Sequence, residues 1–405
     1  MNEAGQEPTP IAVPNEPNLA PPAVGSELPG RLYFPELDGL RFVAFALVFL
    51  FHQGVPSVVI ARYFGRETAR CFRENGWVGV QLFFILSGFL IVTLLLREEE
   101  IHGRVRLSAF WVRRILRIWP LYYLTVVLAF IVVPLLSGAF SQAGGGENLK
   151  RHLPAFLAFL GNWSMAFRGP VSFDCQSILW SVCVEEQFYL VVPLIVAFVP
   201  RRARIPLVCG MIVAAVAIRG WLSYGNANQL MIQYNTLAQF DTLGSGVLLA
   251  LLLGASPREH AGLSRWLRWL QWPLYVAILW VITRSNLGHG EAWRRTWDFV
   301  AIWLAGLGIV AVAVSVPGWL QKGLSHRRIV WLGQISYGLY MYHEIAIWLK
   351  GQIAGMVGWF PFEEEILPLV SLGITIGLAA LSYQRFERPF LELKRRWTRV
   401  PSRPV

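Results

Sequence analysis

The stretch LDGLRFVAFALVFLFHQ, Leu37–Gln53, has the apolar content of a membrane-spanning helix, yet it contains an Asp, an Arg and a His. An ionisable side chain in the hydrocarbon layer costs several kcal/mol and normally faces a bundle interior or a water-filled cavity. Arg41 and His52 are eleven residues apart, about 20° past three helical turns, so they share one face about 16 Å apart along the axis. Asp38 lies about 40° from that face. The span therefore predicts a polar stripe inside a membrane protein.

The composition extends this prediction to the whole chain of 405 residues, of which 55% are hydrophobic and 15% charged. Charged residues make up about a quarter of a soluble protein, so the chain is predicted to be an integral membrane protein. We predict ten spans of about the 20 residues that cross a bilayer as a helix. The fold class is an all-α polytopic membrane protein whose ten transmembrane helices form one bundle. The predicted spans are 38–60, 77–96, 118–137, 178–199, 205–223, 237–254, 267–284, 297–317, 329–349 and 365–386.

Lys and Arg give the chain a net charge of +11. If both termini are in the cytoplasm, these residues concentrate in the cytoplasmic segments, as the positive-inside rule requires. The basic charge is then explained by the topology, and no nucleic-acid partner is predicted. Residues 1–33 are rich in Pro, Glu, Ala and Asn and are predicted to be a disordered cytoplasmic tail. Residues 34–392 form one predicted transmembrane domain, and 393–405 form a basic cytoplasmic tail. The apolar stretch 153–166 is short for a span and is predicted to be re-entrant or interfacial.

The four cysteines do not have the spacing of metal ligands, and no metal site is predicted. Cys71 and Cys175 fall in two loops that the topology places outside the membrane. A disulfide between them is therefore a hypothesis of the sequence.

A pair of carboxylates, Glu185 and Glu186, interrupts the apolar stretch LWSVCVEEQFYLVVP. Counted from the outer ends of their helices, Glu185 and His52 lie about 10 and 12 Å deep. A His and a carboxylate at one depth suit general-base catalysis, in which the carboxylate orients the imidazole and stabilises its protonated form. The alternative is that both carboxylates pair with an interior Arg and are structural.

Three arginines, Arg113, Arg114 and Arg117, lie within little more than one turn in FWVRRILRIWPLYY. The spacing of three places Arg114 and Arg117 next to each other on one helix face. Guanidinium groups bind phosphate through two parallel hydrogen bonds. The cluster predicts either a phosphate site or simple anchoring of a cytoplasmic helix end.

Two further polar groups lie inside predicted spans. Ser87, in GVQLFFILSGFLIV, is followed by Gly88, and small residues allow close helix packing or leave room for a ligand. His343 and Glu344, in ISYGLYMYHEIAIW, lie toward the outer side of the ninth span. They are candidates for the wall of the same cavity.

Taken in order, eight stretches resemble the acyltransferase-3 family of membrane acyltransferases, which includes bacterial O-antigen and peptidoglycan O-acetylases and macrolide acylases. The resemblance covers about residues 34–392. It implies transfer of an acyl group, usually acetyl from acetyl-CoA, to a hydroxyl of a carbohydrate or another acceptor. The stretches are LDGLRFVAFALVFLFH, GVQLFFILSGFLI, FWVRRILRIWPLYYL, GNWS, LWSVCVEEQFYLVVP, FDTLGSGVLLA, LGQISYGLYMYH and FERPF.

Carried over by position, the Arg-x10-His pattern of the family falls on Arg41 and His52, and its Arg-x-x-Arg pattern falls on Arg114 and Arg117. Its Trp-Ser…Glu pattern falls on Trp180, Ser181 and Glu185. The chain departs from the family at Gln81, where members often have an acidic residue, and at Gln239, where they often have an Arg. Both glutamines are therefore left out of the predicted site.

The sequence thus predicts a multi-pass O-acyltransferase of the bacterial inner membrane with acyl-CoA as the donor, no bound cofactor and no metal. His52 is the predicted general base, with Glu185 and Arg41 as its catalytic partners. The partners are membrane lipid and a carbohydrate or small-molecule acceptor. One alternative is a proton-coupled transporter or flippase of a glycan or lipid-linked substrate. The other is a receptor or scaffold without chemistry. The predicted acyl-CoA-binding residues are Arg113, Arg114 and Arg117, and the further pocket candidates are Asp38, Ser87, Trp180, Glu186 and His343.

Overall fold

The long apolar stretches of the sequence form long helices. A computed structural model describes residues 32–53, 65–141, 146–255, 261–283, 291–357 and 363–400, and every regular element in these ranges is helical. The helices are α1 (Pro35–Gln53), α2 (Arg66–Asn75), α3 (Val78–His102), α4 (Leu107–Val127), α5 (Glu147–Leu157), α6 (Gly161–Arg168), α7 (Leu179–Phe198), α8 (Arg201–Tyr224), α9 (Gln229–Tyr234), α10 (Thr236–Leu253), α11 (Ala261–Thr283), α12 (Ala292–Ser315), α13 (Trp319–Leu324), α14 (Arg327–Gln334), α15 (Ser336–Val357), α16 (Glu363–Ser382) and α17 (Arg388–Arg395). Short helical pieces cover Leu128–Val132, Val133–Leu136, Ala139–Ser141, Asp174–Ser177 and Tyr383–Glu387.

Within the described ranges, seven helical segments are long and apolar enough to cross a membrane. They match seven of the ten predicted spans and support a multi-pass membrane protein. The seven segments are Val78–His102, Leu107–Leu136, Asp174–Phe198, Arg201–Tyr224, Gln229–Leu253, Ala292–Ser315 and Ile366–Arg395.

The other three predicted spans differ from these seven for identifiable reasons. The helix α1 carries three charged residues in its first two turns, and the remainder of the predicted span 38–60 lies outside the described residues. The helix α11 begins with a tryptophan-rich half that contains two arginines. The predicted span 329–349 is broken at Ile335, between α14 and α15. The count of ten and the cytoplasmic position of the termini remain predictions, and residues 1–31 lie outside the described part.

The stretch 153–166 forms parts of two short helices, α5 and α6, of 11 and 8 residues, and neither is long enough to span a bilayer. The chain reverses between them through Phe159, whose φ is +55°. Neighbouring helices satisfy the exposed carbonyls of this turn. The Tyr122 hydroxyl donates to the Phe156 carbonyl, and the Gln187 amide donates to the Phe159 carbonyl. Non-helical backbone inside a membrane protein needs such internal partners.

The helices α3 and α10 pack so closely that each presents a glycine to the backbone of the other. A Cβ atom at Gly88 would collide with the Leu243 carbonyl, and one at Gly246 would collide with the Ile85 carbonyl. Small residues at such crossings allow backbones to approach in membrane bundles. This contact fixes the position of Ser87, which is next to Gly88 in the chain.

A buried ion pair joins α8 to α10. The Arg219 and Asp241 side chains are both fully buried, and the Arg219 Nη2 atom lies 3.0 Å from Asp241 Oδ1. The Arg219 guanidinium also lies over the Phe299 ring of α12, 3.9 Å from its centroid. Three helices are therefore held together by one cation whose charge is compensated inside the protein.

The structure does not contain the hypothesised disulfide between Cys71 and Cys175, because both residues are free thiols. Cys71 is on α2, which packs against α1 and α11, whereas Cys175 lies in the short helix Asp174–Ser177, which packs against α15. The sequence placed both residues in outer loops but could not show that these loops pack on different helices.

Replacing Gly246 with Ala is expected to lower the free energy of unfolding by about 1–3 kcal/mol, since the new methyl group meets backbone that cannot move aside. The measurement is thermal melting in detergent. Gly210→Ala is the matched control, because a Cβ there meets nothing within 4 Å, and its melting temperature should stay at or above that of the wild type. Equal melting of the two variants would contradict close packing of α3 and α10.

Candidate active site

A cavity with two arms lies between α1, α3, α4, α7 and α15. The two arms share five lining residues, so they meet at one junction. Both arms are partly open, and the empty space in each, open solvent included, is about 670–690 Å³. The shared residues are Arg41, Ser87, Arg114, Arg117 and Tyr189.

The first arm is cationic. Besides Arg41, it is lined by Arg114, Arg117 and Lys394. In the described part of the chain, none of these last three forms a salt bridge with a carboxylate. The Arg114 guanidinium packs near the Phe110 and Tyr189 rings, and its buried Nε atom has no hydrogen-bond partner. These three cations exceed the negative charge of the arm, as in a site that binds an anion.

Arg113, which the sequence grouped with Arg114 and Arg117, is held elsewhere. Its Nη2 atom lies 3.1 Å from Glu98 Oε2, and its Nη1 atom donates to the Trp397 carbonyl at 2.8 Å. Its side chain does not line either arm. The one-residue difference from Arg114 turns Arg113 by about 100° around the helix.

The structure brings Asp38 and Arg41 together. Asp38 accepts a hydrogen bond from the Tyr33 hydroxyl at 3.0 Å, and its Oδ1 atom lies 3.7 Å from Arg41 Nη1. Both line the first arm. Asp38 therefore positions Arg41 at the junction.

Besides the shared arginines and several apolar side chains, the second arm is lined by hydroxyl groups and one carboxylate, Glu185. The Ser87 hydroxyl donates to Glu185 Oε1 at 2.7 Å, and the Tyr189 hydroxyl donates to Oε2 at 3.2 Å. Farther along, the hydroxyls of Ser181 and Tyr340 are 2.8 Å apart. The arm therefore offers polar contacts to a ligand that passes Ser87.

The expected pairing of Glu185 with His52 is wrong. Both oxygens of Glu185 accept hydrogen bonds from Ser87 and Tyr189, and Glu185 shares a cavity wall with Arg41, eleven residues before His52. Counting residues from helix ends predicted depth only approximately and could not predict which way each helix face turns.

Two other pocket candidates take structural contacts. Glu186 accepts a hydrogen bond from Trp119 Nε1 at 3.0 Å. The Trp180 ring packs edge-on against Phe84 and near Tyr234. Neither lines the two arms, so the structure brings together Arg41, Ser87, Arg114, Arg117 and Glu185 but leaves these two outside.

His52 instead belongs to a cluster with His343 and Glu344 of α15. Its Nδ1 atom lies 3.3 Å from His343 Nε2, and its Nε2 atom lies 3.6 Å from Glu344 Oε1. His343 is fully buried, and the side chain of His52 is 22% exposed. One nitrogen of each histidine and one carboxylate oxygen of Glu344, the atoms that could ligate a metal ion, lie within 4.8 Å of one another. Since the His343 ring also contacts the Tyr340 ring, the cluster adjoins the second arm of the cavity.

The hydrogen bonds of this cluster fix which nitrogens carry hydrogen. A backbone carbonyl only accepts, so a ring nitrogen that faces one must donate. His343 Nδ1 lies 2.6 Å from the Tyr340 carbonyl, which leaves His343 Nε2 as an acceptor. His52 Nδ1 faces two acceptors, the Val48 carbonyl at 3.0 Å and His343 Nε2. The neutral His52 ring therefore keeps its lone pair on Nε2, as a general base requires.

Sequence reasoning missed three residues of this site. Lys394 lies in the segment that the sequence assigned to a basic tail, and only the packing of α17 against α4 brings it to the cavity. Tyr189 follows Glu185 by four residues, and Tyr340 precedes His343 by three. Both spacings put the tyrosine on the same helix face as the predicted residue, and this signal could have found them.

Residues 34–383 match a family described as an acyltransferase domain. The chain belongs to the acyltransferase-3 family. The acyltransferase-3 chain is 26% identical over 382 residues to the peptidoglycan O-acetyltransferase OatA of Listeria monocytogenes. The aligned region covers 89% of the chain and 56% of OatA. It is 25% identical over 383 residues to "Putative O-acetyltransferase SACOL0978" of Staphylococcus aureus. This aligned region covers 88% of the chain and 57% of that relative.

The resemblance found in the eight sequence stretches is thereby confirmed. The acyltransferase-3 chain spans little more than half the length of these curated relatives. No solved structure shows a significant match to it.

Replacing Arg114 with Gln is expected to leave thermal stability unchanged or higher, because it removes a cation that has no salt-bridge partner among the described residues. Arg219→Gln is the comparison. It leaves Asp241 buried without its cation and should cost about 3–5 kcal/mol. Melting in detergent measures both, and an equal loss in the two variants would show that Arg114 is structural.

Proposed function

We propose that this chain is a membrane O-acyltransferase that moves an acyl group, most simply acetyl, from cytoplasmic acyl-CoA to a hydroxyl of a carbohydrate. The observation that carries the proposal is the combination of three cavity cations that form no salt bridge among the described residues with a histidine whose Nε2 is free to accept a proton. Membership of the acyltransferase-3 family supports the reaction class.

The cationic arm is the proposed site of the CoA phosphates. Arg114, Arg117 and Lys394 form no salt bridge with a carboxylate in the described ranges, so a bound polyanion would supply the missing negative charge. Arginine binds phosphate through its planar fork, and lysine acts as a point charge. Arg113 was predicted to join them, but its pairing with Glu98 makes it a support of the helix end instead.

The distances fit the donor. The chain between the diphosphate and the sulfur of CoA has about twelve bonds, as many as four residues of backbone, and reaches about 14 Å when extended. Arg41 and His52 are separated by about 16 Å along α1. Phosphates held near Arg41 and Arg114 would therefore place the thioester close to His52, with Ser87, Glu185 and Tyr340 beside the connecting arm.

The chemistry follows from the free Nε2 of His52. This nitrogen takes the proton of the acceptor hydroxyl while the hydroxyl oxygen attacks the thioester carbonyl carbon. The C–O bond forms, the C–S bond breaks, and the CoA thiolate then takes the proton from Nε2. General-base catalysis of this kind contributes about 10²–10⁴ in rate.

The acceptor is proposed from the relatives. OatA is named as a peptidoglycan O-acetyltransferase, which supports a carbohydrate hydroxyl as the acceptor here. A carbohydrate outside the cytoplasm would approach His52 from the outer side, which agrees with the predicted topology and with the partial exposure of this side chain. The proposed location is the bacterial inner membrane.

Purified membranes supplied with radiolabelled acetyl-CoA should transfer label to one acceptor fraction, and His52→Ala should lower that transfer by about 10²–10⁴-fold. Label is followed into protein, glycan, lipid and small-molecule fractions. His326→Ala is the matched control, because His326 is exposed and outside the cavity. Full transfer by folded His52→Ala protein would exclude His52 as the base, and no transfer by the wild type would favour a transporter.

Acetyl-CoA or CoA should raise the melting temperature of the wild-type protein, because a ligand that binds only the folded state stabilises it. Arg114→Gln and Lys394→Gln should each reduce this shift, and Arg113→Gln should keep it. An unchanged shift in Arg114→Gln would place the CoA site elsewhere.

A further inference from the structure

We propose that Glu344 is the electrostatic partner of His52, the role that the sequence gave to Glu185. Its carboxylate faces His52 Nε2 and stabilises the imidazolium that forms when His52 takes the acceptor proton. The inference rests on the proposed function of His52 as a general base, and it names a positioning residue for that function.

The position of Glu344 carries the first step of the argument. Glu344 is 5% exposed, and its Oε1 atom has no hydrogen-bond partner in the described structure. That oxygen lies 3.6 Å from His52 Nε2 and 3.7 Å from His343 Nε2. A buried carboxylate is favoured only beside a cation, and the imidazolium that His52 forms during the reaction would be such a cation.

The tautomers show which nitrogen supplies that cation. His343 donates from Nδ1 to the Tyr340 carbonyl, so its Nε2 is an acceptor and cannot serve Glu344. His52 donates from Nδ1, and its Nε2 gains a hydrogen when it accepts the proton of the acceptor hydroxyl. Protonation of His52 Nε2 therefore gives Glu344 Oε1 a hydrogen-bond donor, and no existing hydrogen bond has to break.

The other charged and titratable groups near the cluster are consistent with this role. Asp174, before α7, adds negative potential at both His52 and Glu344, and Lys350 of α15 adds positive potential at Glu344. Among the described residues, Cys175 and Tyr340 are further titratable neighbours. Glu185 does not hydrogen-bond to the cluster, because both of its oxygens are engaged by Ser87 and Tyr189.

His343 acts with Glu344 as the support of the ring. It accepts from His52 Nδ1 at 3.3 Å, and the two ring centroids lie 5.0 Å apart. The arrangement has the logic of a catalytic triad, in which one partner holds the tautomer and orientation of the base and stabilises its protonated form. Here His343 and the Val48 carbonyl hold the tautomer, and Glu344 supplies the charge.

The test is the pH dependence of acetyl transfer by full-length protein in membranes. Glu344→Gln keeps the shape and removes the charge, and it should lower kcat by about 10- to 100-fold, as the loss of a charge-assisted hydrogen bond predicts. Because the imidazolium loses its counter-charge, the acidic limb of the pH profile should move to lower pH. Glu344→Asp keeps the charge and should restore the wild-type profile in part.

The matched control is Asp298→Asn, which removes another buried carboxylate, on α12, outside both cavity arms. It should leave the pH profile unchanged. The CoA-dependent melting shift of Glu344→Gln should also match that of the wild type, which shows that the variant is folded and binds donor.

The outcomes separate this proposal from the function on which it rests. Wild-type kcat and an unmoved pH profile in Glu344→Gln, with transfer still lost in His52→Ala, would overturn the role of Glu344 and keep His52 as the base. Transfer retained in His52→Ala would overturn the base itself. A stoichiometric metal ion in purified wild-type protein that is lost in Glu344→Gln would also overturn the proposal, because Glu344 would then bind metal and not the imidazolium.

Discussion

A charge inside a membrane must be compensated by the protein, and the structure depends on how this chain meets that constraint. Two buried arginines meet it internally. Arg219 pairs with Asp241 and lies over the Phe299 ring, and Arg204 pairs with Glu99 through two hydrogen bonds of 2.8 Å. These pairs hold helices together. Three cations of the central cavity are different, because Arg114, Arg117 and Lys394 have no such carboxylate among the described residues.

The uncompensated groups lie in two zones. Three cations without a salt-bridge partner in the described ranges, Arg114, Arg117 and Lys394, line one arm of the cavity, and Glu344, whose Oε1 atom has no hydrogen-bond partner, lies beside His52 at the far end of α1. Each zone lacks what the proposed reaction would bring to it, phosphate in one and a protonated imidazole in the other. Because the helix α1 runs through both zones, its length sets the distance that the donor must bridge.

Much of this site could be predicted from the sequence, because helical periodicity fixes which residues share a face. Helical spacing grouped Arg41 with His52 and Arg114 with Arg117. The structure places the three arginines around one cavity and His52 at its outer end. Periodicity within a helix cannot show how helices turn toward each other. The predicted partner of His52, Glu185, was therefore wrong, because Glu185 lies on α7 and His52 faces α15. Lys394 was missed because only the packing of α17 brings it to the cavity.

The fold shows the same division. In the described ranges, seven strongly apolar stretches form helices long and apolar enough to cross a membrane, as predicted. The close crossing of Gly88 and Gly246 requires a three-dimensional contact that no single stretch contains. The predicted span at 329–349 was divided by the break at Ile335. This break separates α14, which packs on α1, from α15, which carries the His52 partners.

The central claim is that one donor bridges the two zones, and a cryo-electron microscopy structure with a non-reactive acetyl-CoA analogue tests it most directly. The account predicts phosphates in contact with Arg114 and Arg117 and an acyl carbonyl within reach of a hydroxyl that contacts His52 Nε2. An analogue whose phosphates lie outside the cationic arm, or whose acyl group stops at Ser87 with His52 far from it, would contradict the account.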